Sequence, residues 1–360
     1  MISDKEIEAK AQEFSITPIN VEKDYVHSWL LKSIYARPAL AARLILKGGQ
    51  AIRKGYLPQT RFSKDLDFST LAQLDCNWLE TELREVCAQV SAASGVTFLD
   101  KVIIKDKNLA IPGVDAIEAR LYFKGFYGEE DLNLRAQLDV TQFDKMYLPA
   151  QSRRLLHAYS DATDCVATIR TQKLEEILAS KLTAMLHRRK PADMFDLLYA
   201  ILIAREYPVS RLEIISTFLR KSIFEPEPDL AKNELLAIPI AAFERDWSTL
   251  VVPAAALLAF SYAVGNFHAL IESLFAAIIP AVRIPTGFAS PLGRLGLAPG
   301  RIAGAGAFAR VSPLAPGPRN VIVSAARNGH MIEMQYDGIR RVVEPYKLEY
   351  YVRKTDHVGS

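Results

Sequence analysis

Two glycines and two aspartates, separated by fifteen residues, carry the strongest chemical signal in this sequence. Gly48 and Gly49 end the short apolar run LILK. Because glycine has no Cβ, the backbone can turn sharply there, and its N–H groups suit phosphate oxygens. Asp65 and Asp67 alternate with apolar residues in the period of a strand, so both carboxylates point to one face. Two close carboxylates repel unless a cation lies between them, and oxygen ligands favour Mg²⁺.

A block of positive charge fills the stretch between the glycines and the aspartates. Six basic residues and no acidic residue occur from position 43 to position 64: Arg43, Lys47, Arg53, Lys54, Arg61 and Lys64. Such a block is the environment that a polyphosphate needs, and we expect Arg53, Lys54 and Arg61 to contact a nucleotide or RNA. A lone GG pair is usually a turn and a lone DxD a solvated edge. The spacing of both, with RFS between them, is the more specific feature.

A third carboxylate lies on a later predicted strand, residues 132–143. Its apolar residues fall on one face, and the polar residues Arg135, Gln137, Asp139 and Thr141 fall on the other. Asp139 is thus on the polar face of a strand that could pair beside Asp65 and Asp67. The alternative is a strand aspartate that simply faces solvent.

Two helices follow, with charged residues at the margins of apolar stripes. The first begins near Lys173, and Lys181 lies where a long stem can pack while its ammonium reaches inward. The second, Asp193 to Arg205, places Asp193 and Asp196 on one side. A lysine whose ammonium reaches solvent and a helix-capping aspartate are the alternatives. Earlier in the chain, Tyr25 and Trp29 are expected in the core, and His27 at the surface or a cap.

The strings KGGQAIRKGY and RFSKDLDF resemble the nucleotidyltransferase superfamily with the DNA polymerase β-like fold. More closely, they resemble the AbiEii-type nucleotidyltransferase toxins of type IV toxin–antitoxin systems. The string LEEILASKLTAMLHRRKPADMFDLLYAI is similar to the second signature of that group, KLxAxxxRxxPRDxxDLxxL. Three positions depart from it: Gln50 and Ile52 replace the usual Thr and Leu, and Ala192 replaces an Arg.

The resemblance implies roles for individual residues. Asp65, Asp67 and Asp139 would hold two Mg²⁺ ions, and Lys181 and Asp193 would be a triphosphate contact and a functional acid. The nucleotide-binding set would be Gly48, Gly49, Arg61, Ser63, Lys64 and Lys181. The implied reaction moves NMP from an NTP to an RNA acceptor such as a tRNA 3′ end, causing growth arrest, with a separately encoded antitoxin as partner. Transfer to a protein hydroxyl, or an inactive nucleotide-binding scaffold, remain open.

Composition limits the setting of this activity. The 360 residues carry 44 Lys and Arg against 41 Asp and Glu, a net charge of +3, so any basic surface must be local. The three cysteines lack metal spacing, and their odd number disfavours a disulfide framework. Because the first twenty residues are charged and lack the apolar segment of a signal peptide, we expect a cytoplasmic protein.

The predicted fold class is α+β. A polymerase β-like mixed sheet with flanking helices is followed by a helical bundle and a short β segment. That segment comprises a short helix (321–328) and a hairpin of two strands (331–336 and 339–352) around an Asp337–Gly338 turn, and it resembles the start of a WYL domain. The predicted domains are a catalytic lobe (1–172), a helical lobe (173–279), a Pro/Gly-rich linker (280–319) and a partial WYL-like domain (320–360). Trp247 to Ile271 lacks charged residues and is long enough to span a membrane, but Pro253 and Gly265 interrupt it. We therefore favour a buried helical hairpin.

Overall fold

The structure is a computed structural model. It describes residues 1–108, 115–128, 132–222, 224–225, 227–278, 309–310, 332–336 and 339–343. Two compact units divide the chain: one comprises Met1–Asn108 and Val114–Pro280, and the other comprises Leu109–Gly113 and Ala281–Ser360. The first unit takes in the predicted helical lobe and, apart from residues 109–113, the predicted catalytic lobe. The boundary between those two lobes stays a prediction.

Helices make up about half of the first unit. They are α1 (Asp4–Phe14), α2 (Pro18–Ala36), α3 (Pro38–Ala41), α4 (Gly48–Ala51), α5 (Cys76–Ser94), α6 (Leu174–His187), α7 (Pro191–Leu198), α8 (Arg211–Lys221), α9 (Pro228–Leu236), α10 (Glu244–Trp247) and α11 (Phe260–Phe275). The π-helical turns Ile52–Tyr56 and Tyr199–Ile203 extend α4 and α7. Local sequence sets several ends: the Asp75 side chain caps α5 by accepting from Trp78 N–H, and Gly95 ends it in a left-handed conformation.

The central element is a seven-stranded mixed sheet. Its strands are β1 (Ile45–Lys47), β2 (Asp65–Ser69), β3 (Phe98–Asn108), β4 (Asp115–Lys124), β5 (Asn133–Thr141), β6 (Gln151–Arg154) and β7 (Thr168–Thr171). The order across the sheet is β3-β4-β5-β2-β1-β7-β6. Strand β2 lies in the middle, parallel to β5 on one side and antiparallel to β1 on the other. The predicted mixed sheet with flanking helices is confirmed.

One face of this sheet forms the core. Leu66 and Phe68 of β2, and Leu138 and Val140 of β5, are at most 1% exposed. Helix α2 packs against β5, and α5 packs against β3 and β4. The alternation predicted for β5 is confirmed, because Leu134, Ala136, Leu138 and Val140 are all buried. The opposite face therefore carries the polar side chains of the same strands.

The helical part continues the same core. Helices α6, α7, α8, α9 and α11 contact one another through buried apolar residues. The uncharged stretch 247–271 is broken into the end of α10, a 3₁₀ turn (Ala254–Ala256) and most of α11. None of the helices in the described ranges combines the length and the apolar character that crossing a bilayer requires.

In the second unit, β8 (Ala309–Arg310), β9 (Ile332–Tyr336) and β10 (Ile339–Val343) form a small sheet of order β10-β9-β8. Strands β9 and β10 pair in antiparallel register from Tyr336 opposite Ile339 to Ile332 opposite Val343. This agrees with the predicted hairpin. The predicted helix 321–328 and nearly all of the predicted linker lie outside the described residues. The WYL-like domain stays a prediction.

Candidate functional site

A row of charged residues crosses four adjacent strands on the polar face of the sheet. Glu118 of β4 lies opposite Asp139 of β5, which lies opposite Asp67 of β2, which in turn lies opposite Lys47 of β1. Paired residues on neighbouring strands share a face and stand roughly 5 Å apart. Asp65 is on the same face, two positions before Asp67. The predicted proximity of Asp139 to the Asp65 and Asp67 pair is therefore seen in the strand register.

The glycine pair lies directly against this row. Gly48 has φ +68°, and a Cβ added there would lie 2.5 Å from Asp67 Oδ2. A Cβ at Gly49 would lie 2.8 Å from Ser63 Oγ and 3.1 Å from Arg61 Nη2. Only glycine fits both positions without displacing these neighbours. The turn, the carboxylate and the hydroxyl, far apart in sequence, thus form one compact group.

Charge repulsion makes the aspartate pair a suitable cation ligand. Burial raises the pKa of Asp67, and the charge of Asp139 raises it further, while Lys47 and Lys181 oppose the rise. Carboxylate oxygens are the donors that Mg²⁺ prefers. The chemistry of the donors thus fits a hard divalent cation. Among the described residues, however, no group of three or more His, Cys, Asp or Glu side chains is arranged closely enough to hold a metal ion.

A buried ion network lies beside the glycine turn. Lys181 Nζ is 3.0 Å from Asp193 Oδ1 and 2.8 Å from Asp196 Oδ2. Arg61 donates two hydrogen bonds of 2.7 Å to Asp196. Arg188 donates two, of 2.7 and 2.8 Å, to Asp193. Two aspartates are therefore each clamped by an arginine and bridged by one lysine.

This network holds its charges fixed. Burial alone would raise the pKa of Asp193, but Lys181 and Arg188 hold it at about 2. The Asp193 side chain is completely buried, whereas that of Arg188 is 52% exposed. Arg188 is also near enough to Asp67 to influence its pKa. The network thus presents the Arg188 guanidinium at the polar face, while Asp193 and Asp196 are buried.

The position of Arg61 departs from the prediction that it contacts a nucleotide. Its Nε and Nη2 bind Asp196 and its Nη1 donates to the Phe62 carbonyl, at 9% exposure of the residue. Each of its nitrogens already has a protein partner. The Arg61 guanidinium packs against Gly49, with Nη2 only 3.1 Å from where a Cβ would lie. Arg61 therefore has a structural role.

The prediction that Arg53 and Lys54 contact nucleotide or RNA is wrong. Both residues are at most 3% exposed, and both pair with the buried Asp24, at 3.0 Å from Arg53 Nε and 2.7 Å from Lys54 Nζ. Tyr159 donates a further hydrogen bond to the same carboxylate. Burying two cations is tolerated only where a carboxylate compensates them. Of the six basic residues in this stretch, Arg43 and Lys64 are exposed on the surface.

His27 also differs from its predicted surface position. It is 1% exposed, and its Nδ1 lies 2.8 Å from Gln50 Nε2, which donates at 2.7 Å to the Ser63 carbonyl. Burial lowers the pKa of His27 to about 4, so the ring is neutral at pH 7. Because neutral Nδ1 accepts here, the pair holds the Ser63 segment against the glycine turn.

Sequence reasoning missed three residues of the site. Arg188 matches an Arg of the family pattern, but the sequence alone gave it no role. Glu118 occupies an ordinary strand position, and its pairing with Asp139 depends on the strand register, which the sequence pattern does not reveal. Asp144 accepts from Lys47 Nζ at 2.8 Å and from Ser69 Oγ at 2.5 Å. Lys47 Nζ also donates to Thr141 Oγ1. Asp144 therefore closes the polar face at the ends of β2 and β5.

Comparison with known proteins shows the family of the chain. No curated protein matches the chain. One solved structure that resembles it is MenT4, a nucleotidyltransferase toxin from Mycobacterium tuberculosis H37Rv, with 16% sequence identity, a TM-score of 0.49, and coverage of 77% of this chain and 89% of that one. Residues 29–259 match the family described as "Nucleotidyl transferase AbiEii toxin, Type IV TA system". Because that match spans well over half of the chain, the protein belongs to the AbiEii family of type IV toxin–antitoxin nucleotidyltransferases.

Proposed function

We propose that this nucleotidyltransferase moves a nucleoside monophosphate from an NTP to a hydroxyl of RNA, with a tRNA 3′ end as the acceptor. The hydroxyl oxygen forms a bond to the α-phosphorus and loses its proton to solvent, the bond from that phosphorus to the oxygen bridging the α- and β-phosphates breaks, and pyrophosphate leaves. The observation that carries the proposal is the register of Asp67 with Asp139, directly against Gly48. The RNA acceptor rests on the family resemblance.

Asp65, Asp67 and Asp139 are the residues that would hold Mg²⁺. When bound, two ions would neutralise the triphosphate and polarise the attacking hydroxyl. The raised pKa of Asp67 supports this assignment, because a desolvated carboxylate beside a second one is stabilised by a cation. Gly48 keeps the space next to Asp67 free of a side chain.

Phosphate binding falls to the residues around the glycine turn. Ser63 Oγ lies over Gly49, and Lys64 is exposed beside it. Lys181 is close enough to Asp67 to lower its pKa, and we keep it as a triphosphate contact. Asp193 orients Arg188, whose half-exposed guanidinium adds a phosphate donor that bidentate geometry suits. In the absence of the family's Arg at Ala192, Arg188 supplies the guanidinium next to Asp193.

The partners follow from the class of system. A type IV toxin is paired with a separate antitoxin, and we expect co-expression with that antitoxin to relieve growth arrest. A cytoplasmic setting, where RNA and NTPs are available, remains the prediction from sequence.

Labelling tests the proposal directly. The purified protein is incubated with total RNA, Mg²⁺ and each of the four α-labelled NTPs in turn, and the products are then treated with nuclease or protease. We expect label that nuclease releases and protease does not. Asp67→Asn and Asp139→Asn should each lose transfer, while Asp100→Asn, a highly exposed aspartate on the edge strand β3, should keep it.

The outcomes separate the candidates. Label that survives nuclease but not protease would replace RNA with a protein acceptor. Label that persists in Asp67→Asn would remove the carboxylate from the chemistry. Omission of Mg²⁺ with added chelator should abolish labelling, and full activity in chelator would contradict the metal assignment.

A further inference from the structure

An exposed aromatic residue occupies a strained backbone position just after β5. Phe143 has φ +53° and is 55% exposed. The left-handed region is disfavoured for residues with a Cβ, and a bulky side chain there is an outlier. Glycine or asparagine usually takes such a position. A large apolar side chain that is both strained and exposed gains nothing from core packing.

The surrounding turn holds Phe143 in this conformation. Gln142 N–H donates to the Asp115 carbonyl at 2.8 Å, and its side-chain oxygen accepts from Leu74 N–H at 2.7 Å. Asp144 N–H donates to the Thr70 carbonyl at 3.1 Å. Both neighbours of Phe143 are thus tied to other segments. Strain of this kind persists where the surrounding structure over-determines it, and such residues cluster at functional sites.

The turn lies at the end of the polar face. Its Asp144 carboxylate binds Lys47 and Ser69 on that face. Phe143 follows Asp139 by four residues, at most about 14 Å along an extended chain. A nucleotide whose phosphates are held at the carboxylates carries its base away from them, and Phe143 lies on the turn that directly follows the strand of Asp139.

We propose that Phe143 is a stacking platform for a nucleobase, which belongs either to the NTP or to the RNA acceptor. The proposal rests on the nucleotidyl transfer proposed above and adds a base-binding residue to it. Aromatic rings stack on every base, because each base presents a π-face. The left-handed backbone holds the Phe143 ring at the surface, where it is available for such a contact.

Two variants of Phe143 test this role. Phe143→Asn tolerates the left-handed backbone and removes the ring, whereas Phe143→Trp keeps an aromatic ring. Val166→Ala, which truncates another apolar side chain with 53% exposure, is the control. We expect Phe143→Asn to raise the KM and Kd for one substrate roughly five- to one-hundred-fold, from the usual strength of base stacking. Phe143→Trp and Val166→Ala should stay near wild type.

The substrate that is affected identifies the base. A rise confined to NTP assigns the base of the nucleotide, and a rise confined to RNA assigns a base of the acceptor. Inorganic triphosphate, which has no base, should bind wild type and Phe143→Asn equally. Unchanged Kd values for both NTP and RNA in Phe143→Asn would overturn the stacking role. Binding is measured without turnover, so an inert wild type would refute the proposed transfer while the stacking role is still tested.

Discussion

Substitution of Gly48 tests how the turn and the carboxylate depend on one another. In Gly48→Ala the new Cβ would lie 2.5 Å from Asp67 Oδ2, and ordinary contact begins at 3.4 Å. The carboxylate must therefore retreat by about 0.9 Å. Misplacement of a reacting group by about 1 Å costs on the order of 10²-fold in rate, which is about 2.7 kcal/mol of barrier. Left-handed φ adds about 1–2 kcal/mol of destabilisation for a residue with a Cβ.

Gly128 provides a matched control for the backbone strain. It has φ +70°, nearly the same as Gly48, but a Cβ there would meet nothing within 4 Å. Gly128→Ala should therefore lose only the backbone-strain part of the free energy of unfolding that Gly48→Ala loses, both measured by urea titration. Only Gly48→Ala should lose transfer activity, measured as kcat with saturating NTP and RNA.

Two results would refute this reasoning. Near-normal kcat in Gly48→Ala would mean that the position of Asp67 does not control the reaction. Equal loss of activity in both variants would assign the effect to backbone strain rather than to displacement of the carboxylate.

Three further changes probe the charges of the site and the core. Because burial and Asp139 raise the pKa of Asp67, the acid limb of the pH–rate profile at subsaturating Mg²⁺ should lie above the usual carboxyl range of about 4, since a protonated carboxyl binds no cation. Asp193→Asn should lower the free energy of unfolding by about 3–5 kcal/mol, because it leaves the buried Lys181 undercompensated. In the wild type, the ionised Asp193 contributes to the free energy of unfolding above about pH 4, and this contribution is lost as pH falls towards about 2. Lys54→Met should lower the free energy of unfolding by a similar amount, because it removes one of the cations that compensate the buried Asp24. The KM for RNA should stay unchanged.

Each of these predictions has a contrary outcome. An acid limb near pH 4 that Asp67→Glu does not move would separate the profile from this group. A urea midpoint of Asp193→Asn close to wild type would show that the network adds little to stability. A raised KM for RNA in a correctly folded Lys54→Met variant would show that Lys54 takes part in binding the RNA acceptor.

Much of the fold was predictable because its signals are local. Alternation in β5 predicted which face carries Asp139, and the 3.6-residue period predicted α6 with Lys181 near a buried stripe. The burial and the ion-pair partners of the basic residues were not predictable from their spacing. Their spacing suggested that Arg53 and Lys54 belong to an exposed basic block. Both are buried instead, because they pair with Asp24, which lies about thirty positions earlier. The predicted surface position of His27 was wrong for the same reason, since its partner Gln50 is on another element.

The sequence by itself determined the chemistry available: glycines without side chains, carboxylates with strand spacing, and helices with charged margins. These properties depend on residue type and on neighbours within one element. Only the tertiary structure decided which charges meet. Strand order and register placed Asp139 beside Asp67, and the packing of the helical part brought Asp196 of α7 to Arg61. A buried cation is stable only where a distant carboxylate is brought to it, so its role is fixed by the folded chain.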